Sequence, residues 1–335
     1  MASTLQKAKK NLINNGFLNL EIDKNINLIE EIKRLKKEKN AIILGHYYQI
    51  PIIQDLSDFV GDSLGLAQKA AETDADMILF AGVHFMAETA KMLNPGKKVL
   101  LPDLNAGCSL ANSAPADIFK AFKAQHPNHV VVSYVNSSAE LKTMTDICCT
   151  SSNAVHVINS IPKDKGIIFA PDRNLGAYLM KETGRDMILW HGVCQVHEMF
   201  SWEKIMATMV EHPDADFIAH PECEPHVLEI ADFVGSTSQL LKYVKTTNKN
   251  KFVVATEPGI LYKMQKDSPD KTLISAPPTT QCSCNECPFM KMNTIEKLYL
   301  ALKYELPEVL LEQKIIDKGR KCIDRMLEIS KKAGL

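Results

Sequence analysis

A chain of 335 residues exceeds what one ordinary hydrophobic core supports, so it should divide into two or three units of about 100 residues. Apolar residues at 45%, charged residues at 24%, and Lys+Arg 39 against Asp+Glu 40 mark a soluble globular protein and give no ground for nucleic acid or an anionic membrane as main partner. No apolar run reaches the roughly eighteen residues of a membrane span, and the Lys-rich start lacks the apolar core of a signal peptide, so the expected address is cytoplasmic. Nine cysteines in such a chain fit reduced thiols or metal ligands better than a disulfide framework.

Residues 1–40 read as a helical lead-in, with Ile26, Leu28, Ile29, Ile32 and Leu35 near a helical period and a solvated basic end at 33–39. Ala41-Ile-Ile-Leu-Gly-His-Tyr-Tyr48 then reads as a short buried strand ending on polar and aromatic side chains. Two later stretches repeat it: Val130-Val-Val-Ser-Tyr-Val-Asn136 and Asp216-Phe-Ile-Ala-His-Pro-Glu222. Aligning His46, Tyr134 and His220 puts Asp58, Asp146 and Asp232 twelve residues on, and Ser63, Ser151 and Thr237 seventeen residues on.

Each unit continues into a second apolar strand with a loop, Ile78-Leu-Phe-Ala-Gly-Val-His84, Ile167-Ile-Phe-Ala-Pro-Asp172 and Phe252-Val-Val-Ala-Thr-Glu257. A third apolar strand ends on a cysteine: Val99-Leu-Leu-Pro102 on to Cys108, Met187-Ile-Leu-Trp-His-Gly-Val-Cys194, and Leu273-Ile-Ser-Ala276 on to Cys287. The separations from the aligned residue to the cysteine are 62, 60 and 67. Segments 64–72, 87–93, 118–125, 175–183, 202–211 and 260–266 have helical periodicity between the strands. Alternating strands and helices predict parallel sheets with functional side chains at the strands' carboxyl ends. The expected fold is α/β: three αβα sandwich domains (41–125, 126–210 and 211–292) about a pseudo-threefold axis and a central cluster site, followed by C-terminal helices in 293–335 that pack on the core.

The run Cys282-Ser-Cys-Asn-Glu-Cys-Pro288, taken alone, fits a structural zinc site, an iron–sulfur ligand loop, or a redox pair or inert thiols. The repeat favours the second. Three equivalent units would bring Cys108, Cys194 and Cys287 together as three thiolates on a [4Fe-4S] cluster, leaving one iron open as a Lewis acid. The spacing leaves Cys282 and Cys284 as spare thiols, as a bridge, or as a stand-in for Cys287. Cys148, Cys149, Cys223 and Cys322 lack a repeated partner and read as packed thiols. A separate zinc group at His191-Gly-Val-Cys194-Gln-Val-His197 is disfavoured, because a strand running into Cys194 would send the two histidines to different sides.

Ser63, Ser151 and Thr237 each stand at a helix start, where a hydroxyl lies beside unbonded N–H groups. One such residue is usually just a cap, but three in register imply a substrate with several acidic groups. His46, Tyr48, Tyr134, Asn136, His220 and Glu222 add donors and acid–base groups at the strand ends, with Glu222 the candidate base.

The motifs Gly45-His-Tyr-Tyr-Gln49, Asp58-Phe-Val-Gly-Asp-Ser63, Phe85-Met-Ala-Glu88, Gly107-Cys-Ser109, Ser133-Tyr-Val-Asn-Ser-Ser-Ala-Glu140, Cys149-Thr-Ser-Ser-Asn153, Pro171-Asp-Arg-Asn-Leu-Gly176, His220-Pro-Glu-Cys223, Gly235-Ser-Thr237 and Cys287-Pro-Phe-Met-Lys-Met-Asn293 together closely resemble the quinolinate synthases, from about residue 25 onward. The resemblance implies three αβα domains around one [4Fe-4S] cluster. It also implies condensation of iminoaspartate with dihydroxyacetone phosphate to give quinolinate for NAD synthesis, with iminoaspartate supplied by an aspartate-oxidising enzyme. Carried over, the cluster ligands are Cys108, Cys194 and Cys287. The catalytic residues are Glu222, Tyr48 and His220, and substrate contacts fall on His46, Tyr48, Ser63, Tyr134, Asn136, Ser151, His220, Glu222 and Thr237. Some members have a CxxCxxC ending; here it is Cys282-x-Cys284-x-x-Cys287, which keeps the last spacing and puts a Cys282–Cys284 bridge in doubt.

Two rivals remain open from the residues alone. An iron–sulfur hydro-lyase acting on another hydroxy acid would share the open-iron chemistry. An electron-transfer or iron-sensing protein would have no use for Glu222 or the three helix-start hydroxyls.

Overall fold

The computed structural model describes residues 2–279 and 285–335. Cys282 and Cys284 lie outside the described residues, so the readings of their roles stay with the sequence.

Among the described residues, twelve strands form three four-stranded sheets, all parallel. The first holds β1 (Ala41–His46), β2 (Phe59–Gly61), β3 (Met77–Ala81) and β4 (Lys98–Leu100). The second holds β5 (Val130–Tyr134), β6 (Ile147–Cys149), β7 (Ile167–Ala170) and β8 (Ile188–Leu189). The third holds β9 (Asp216–Ala219), β10 (Phe233–Val234), β11 (Lys251–Ala255) and β12 (Thr272–Ser275). Their orders, β2-β1-β3-β4, β6-β5-β7-β8 and β10-β9-β11-β12, are one topology three times over. With the helices that flank them, the sheets make three αβα layers, the architecture expected from the spacing.

The central strands are unbroken apolar runs because helices cover parallel sheets and leave no wet face. Ile43, Leu44, Ile78, Leu79, Val131, Val132, Ile168, Phe169, Phe217, Ile218, Phe252 and Val253 are all buried. The six expected helices appear as Ser63–Glu72, His84–Leu93, Ala116–Ala124, Arg173–Thr183, Trp202–Glu211 and Ile260–Asp267.

Each repeat holds elements that were not expected, an edge strand and the short helix Pro51–Leu56, Ala139–Lys142 or Pro225–Leu228. The edge strands β2, β6 and β10 have two or three residues, too few to carry a hydrophobic period. The repeated aspartates lie at their entrances and brace the sheets. Asp58 accepts the Ile43 N–H at 2.7 Å, Asp146 that of Val131 at 2.8 Å and Asp232 that of Phe217 at 2.8 Å. Each carboxylate thus ties the short edge strand to the central strand beside it, using a donor the ladder leaves over.

The chain divides into two compact units, residues 1–108 with 288–320 and residues 109–287 with 321–335. The first unit holds the first sheet. There the helix Ile295–Tyr304 buries Leu298, Tyr299, Leu300, Ala301 and Leu302 in a core shared with Ile32, Leu35, Ile43, Leu79 and Leu100. The second unit holds the other two sheets and the later part of the helix Gln313–Lys332, where Cys322, Ile323 and Met326 are buried. Ser330 of that helix accepts a hydrogen bond from Asn153 Nδ2 at 2.8 Å.

Candidate functional site

The second unit carries the richer site, at the carboxyl ends of β5 and β9, where a parallel sheet delivers side chains free of ladder duties. Tyr134 is the last residue of β5, and its hydroxyl donates to Glu222 Oε1 at 2.6 Å. His220 follows β9 directly. Its Nε2 lies 3.2 Å from Ser151 Oγ, and its Nδ1 lies 3.3 Å from the Glu222 N–H and 3.6 Å from Glu222 Oε1. The turns bearing the hydroxyls of the second and third repeats also meet, through Ser152 Oγ donating to Ser236 Oγ at 2.8 Å. Tyr134, Ser151, His220 and Glu222 are therefore one connected group, with Thr237 beside its edge. Asn136 is half-buried one turn of chain past Tyr134, and its Oδ1 is buried without a hydrogen-bond partner among the described residues.

The hydroxyls stand slightly differently from the expected caps. Ser63 and Thr237 are the first residues inside their helices, and the caps are their predecessors: Asp62 accepts the Gly65 N–H and Ser236 the Gln239 N–H. Ser151 precedes the helix Ala154–Asn159 by a turn. A hydroxyl at the first helical position is not consumed by capping and stays near the helix's amino end.

His197 joins this group although the sequence reading set it aside. The expected strand into Cys194 ends at Leu189, and Cys194 instead begins the one-turn helix Gln195–Glu198. That turn buries His197 while His191 is exposed, so the two histidines do diverge. Nε2 of His197 lies 3.0 Å from Thr256 Oγ1 and Nδ1 lies 3.1 Å from Glu222 Oε2. The second contact is close in distance but poorly aligned for a hydrogen bond, so we read it as an electrostatic contact. The His197 and His220 rings stack with centroids 4.7 Å apart.

Glu222 is 3% exposed, and burial alone would raise its pKa; the His197 and His220 rings and the Tyr134 hydroxyl reverse that and hold it down at about 2. Asp172 shows the opposite balance. It is fully buried, and burial together with the negative charge of Glu222 pushes its carboxyl well above the usual range. Asp172 Oδ1 accepts the Leu175 N–H at 2.8 Å as a helix cap, and the neighbouring Asn174 Nδ2 donates to the Glu222 carbonyl at 3.2 Å.

In the first unit His46 and Tyr48 pack ring to ring at 4.4 Å, and His46 Nδ1 accepts the Tyr48 N–H at 3.1 Å, as His220 does from Glu222. Lys291 Nζ donates to the Tyr48 carbonyl at 2.8 Å. Ser63 follows β2, whose Gly61 pairs with His46.

Cys108, Cys194 and Cys287 each lie in the segment that follows the last strand of a sheet, and each is half-buried. Within the second unit, Cys194 and Cys287 are half-buried soft thiols at matching places of their repeats, the donor type that fits an iron–sulfur group. Within the second unit, Cys287 N–H donates to Glu257 Oε1 at 3.2 Å, and Asn285 Nδ2 reaches the Val196 carbonyl beside Cys194. Cys194, His197 and Glu222 also offer ligand atoms within 4.8 Å of one another, an arrangement open to a single borderline cation such as zinc. Cys148, Cys149, Cys223 and Cys322 are fully buried, and burial raises the thiols of Cys149 and Cys223.

His197, Asp172, Asn174 and Glu257 were not picked from the sequence. Asp172 and Glu257 end the second strand-and-loop of their repeats, and Asp172 and Asn174 fall inside Pro171-Asp-Arg-Asn-Leu-Gly176, so those were the available signals; His197 closes the His191–His197 run that the sequence offered only as a disfavoured zinc group.

The family model described as quinolinate synthetase A protein matches residues 30–328. Among curated relatives, a quinolinate synthase of Gloeothece citriformis is 60% identical over 304 residues, 91% of this chain and 94% of the relative. One of Trichodesmium erythraeum is 57% identical over 323 residues, covering 96% and 99%, and one of Chloroherpeton thalassium is 57% identical over 307 residues, covering 91% and 95%. No helix among the described residues is long and apolar enough to cross a membrane.

Proposed function

The chain belongs to the quinolinate synthase family, and from that membership we propose that it condenses iminoaspartate with dihydroxyacetone phosphate into quinolinate, phosphate and two waters, in the cytoplasm, on the route to NAD. An aspartate-oxidising enzyme would supply the iminoaspartate. Cys108, Cys194 and Cys287 would hold a [4Fe-4S] cluster, which when bound supplies an open iron as Lewis acid for a substrate oxygen.

The observation that carries this reading is the buried Tyr134–Glu222–His220–Ser151 group at the carboxyl ends of two parallel strands. Two carboxylates and a phosphate must be bound, and the hydroxyls of Ser63, Ser151 and Thr237 with Asn136, His46 and Tyr134 offer neutral donors for them. Condensation and ring closure need protons moved at carbon, nitrogen and oxygen. A carboxylate held as low as Glu222 is a weak base alone. Its proposed role is therefore to orient and charge-balance the histidine, so that Nε2 of His220 carries the proton while Tyr48 serves as the second acid–base group.

Anaerobic assay of the purified protein with freshly generated iminoaspartate and dihydroxyacetone phosphate tests the proposal. Quinolinate and phosphate should appear in equal amounts. Dehydration of a common hydroxy acid without quinolinate would assign the site to a hydro-lyase instead.

A further inference from the structure

The first two aligned repeats share a buried donor that residue identity hides. Eight residues past His46 stands Gln54, and eight past Tyr134 stands Lys142. Both sit on the one-turn helix after the strand, Pro51–Leu56 and Ala139–Lys142, and both are buried, Gln54 at 4% and Lys142 at 0% exposure. Gln54 Nε2 donates to the carbonyls of Tyr47 at 2.9 Å and Gln49 at 2.8 Å. Lys142 Nζ donates to the carbonyls of Val135, at 2.9 Å, and Ser137, and lies 3.3 Å from Ser137 Oγ. Tyr47 and Gln49 occupy the same repeat places as Val135 and Ser137. Two side chains of different chemistry thus grip the same two carbonyls, one on each side of the residue that faces the site: Tyr48 in the first repeat, Asn136 in the second. The third repeat has Leu228 at this place and Pro221 in its loop, so ring rigidity there replaces the buried donor.

We propose that Gln54 and Lys142 are positioning residues for substrate binding: by holding the carbonyls on either side, each turns its strand-end loop so that Tyr48 or Asn136 is presented to the substrate's acidic groups. The inference rests on the function proposed above. A loop whose two flanking carbonyls converge on one donor cannot rotate its middle residue away without leaving buried acceptors unpaired. Lys142 lends itself to the test because a glutamine already does its work in the first repeat.

The test compares Lys142→Met, which keeps length but has no donor, with Lys142→Gln, which restores the donor used by Gln54. Both would be made as the full chain under anaerobic conditions. Titration with quinolinate, melting temperature, KM and kcat, and amide exchange in the peptide covering residues 134–138 would be measured. Lys142→Met should lose roughly tenfold or more in quinolinate affinity, raise KM more than it lowers kcat, and speed exchange in that peptide. Lys142→Gln should stay within about threefold of the parent in affinity and exchange. Equal loss in both variants would overturn the proposal, and so would parent-like affinity in a folded Lys142→Met. If Lys142→Met fails to fold, Lys142→Gln decides alone: parent-like binding and exchange support the proposal, and loss of either sinks it. A parent protein that neither binds nor makes quinolinate would remove the proposed function, and the exchange comparison would still decide whether Lys142 holds the loop.

Discussion

Tyr134 and Glu222 stand 88 residues apart in the chain and meet at 2.6 Å, hydroxyl to carboxylate, in a buried site. Each comes from the equivalent end of its own sheet, Tyr134 closing β5 and Glu222 two residues past His220 after β9. One hydrogen bond therefore joins the second and third repeats at the point where both present chemistry.

Substituting Glu222→Gln removes the charge that His197, His220 and Tyr134 converge on. Quinolinate formation should fall by about a hundredfold or more, and the iron content should stay that of the parent. The stability effect has a defined sign. A carboxylate lowered from 4.5 to about 2 in the folded protein stabilises it above the ordinary range, and that stabilisation is lost as pH falls from 4.5 toward 2. Parent and variant should differ most in chemical denaturation near neutral pH and converge in acid. Undiminished turnover would remove Glu222 from the mechanism.

Asp172→Asn should act in the other direction. Asn keeps an oxygen for the Leu175 N–H and drops a carboxyl whose pKa burial and the Glu222 charge push well above the usual range. Because the folded state binds a proton that the unfolded chain releases above 3.8, parent stability falls as pH rises through that window. The melting temperature of the variant relative to the parent should therefore climb as pH is raised from the acid to the neutral side. A difference independent of pH would contradict the assignment.

The repeated aspartates carry a matched prediction. Asp58→Ala, Asp146→Ala and Asp232→Ala each leave one strand N–H without its carboxylate partner, at a cost of about 1–2 kcal/mol apiece in urea unfolding. Kinetic constants at saturating substrate should change little. A large effect on turnover without loss of stability would argue for a chemical role that the bracing does not explain.

Much of this was legible in one dimension because parallel sheets write themselves as apolar runs at regular intervals. The equal offsets to Asp58, Asp146 and Asp232 named three residues that do one job. The edge strands β2, β6 and β10 escaped because two or three residues carry no period. His197 escaped for a geometric reason: the chain turns into a helix at Cys194, and that turn, not sequence spacing, brings the ring against Glu222. Gln54 and Lys142 escaped because the repeat preserved their place and function while changing the residue.

The claim on which the chemistry depends is that Cys108, Cys194 and Cys287 together hold the iron–sulfur cluster. Iron and acid-labile sulfide counted per chain after anaerobic purification of the parent and single Cys→Ser variants test it most directly. The account predicts about four of each in the parent, loss of both in Cys108→Ser, Cys194→Ser and Cys287→Ser, and near-parent content in Cys223→Ser and Cys322→Ser. A full complement of iron and sulfide in any of the first three, or zinc in place of iron in the parent, would contradict it.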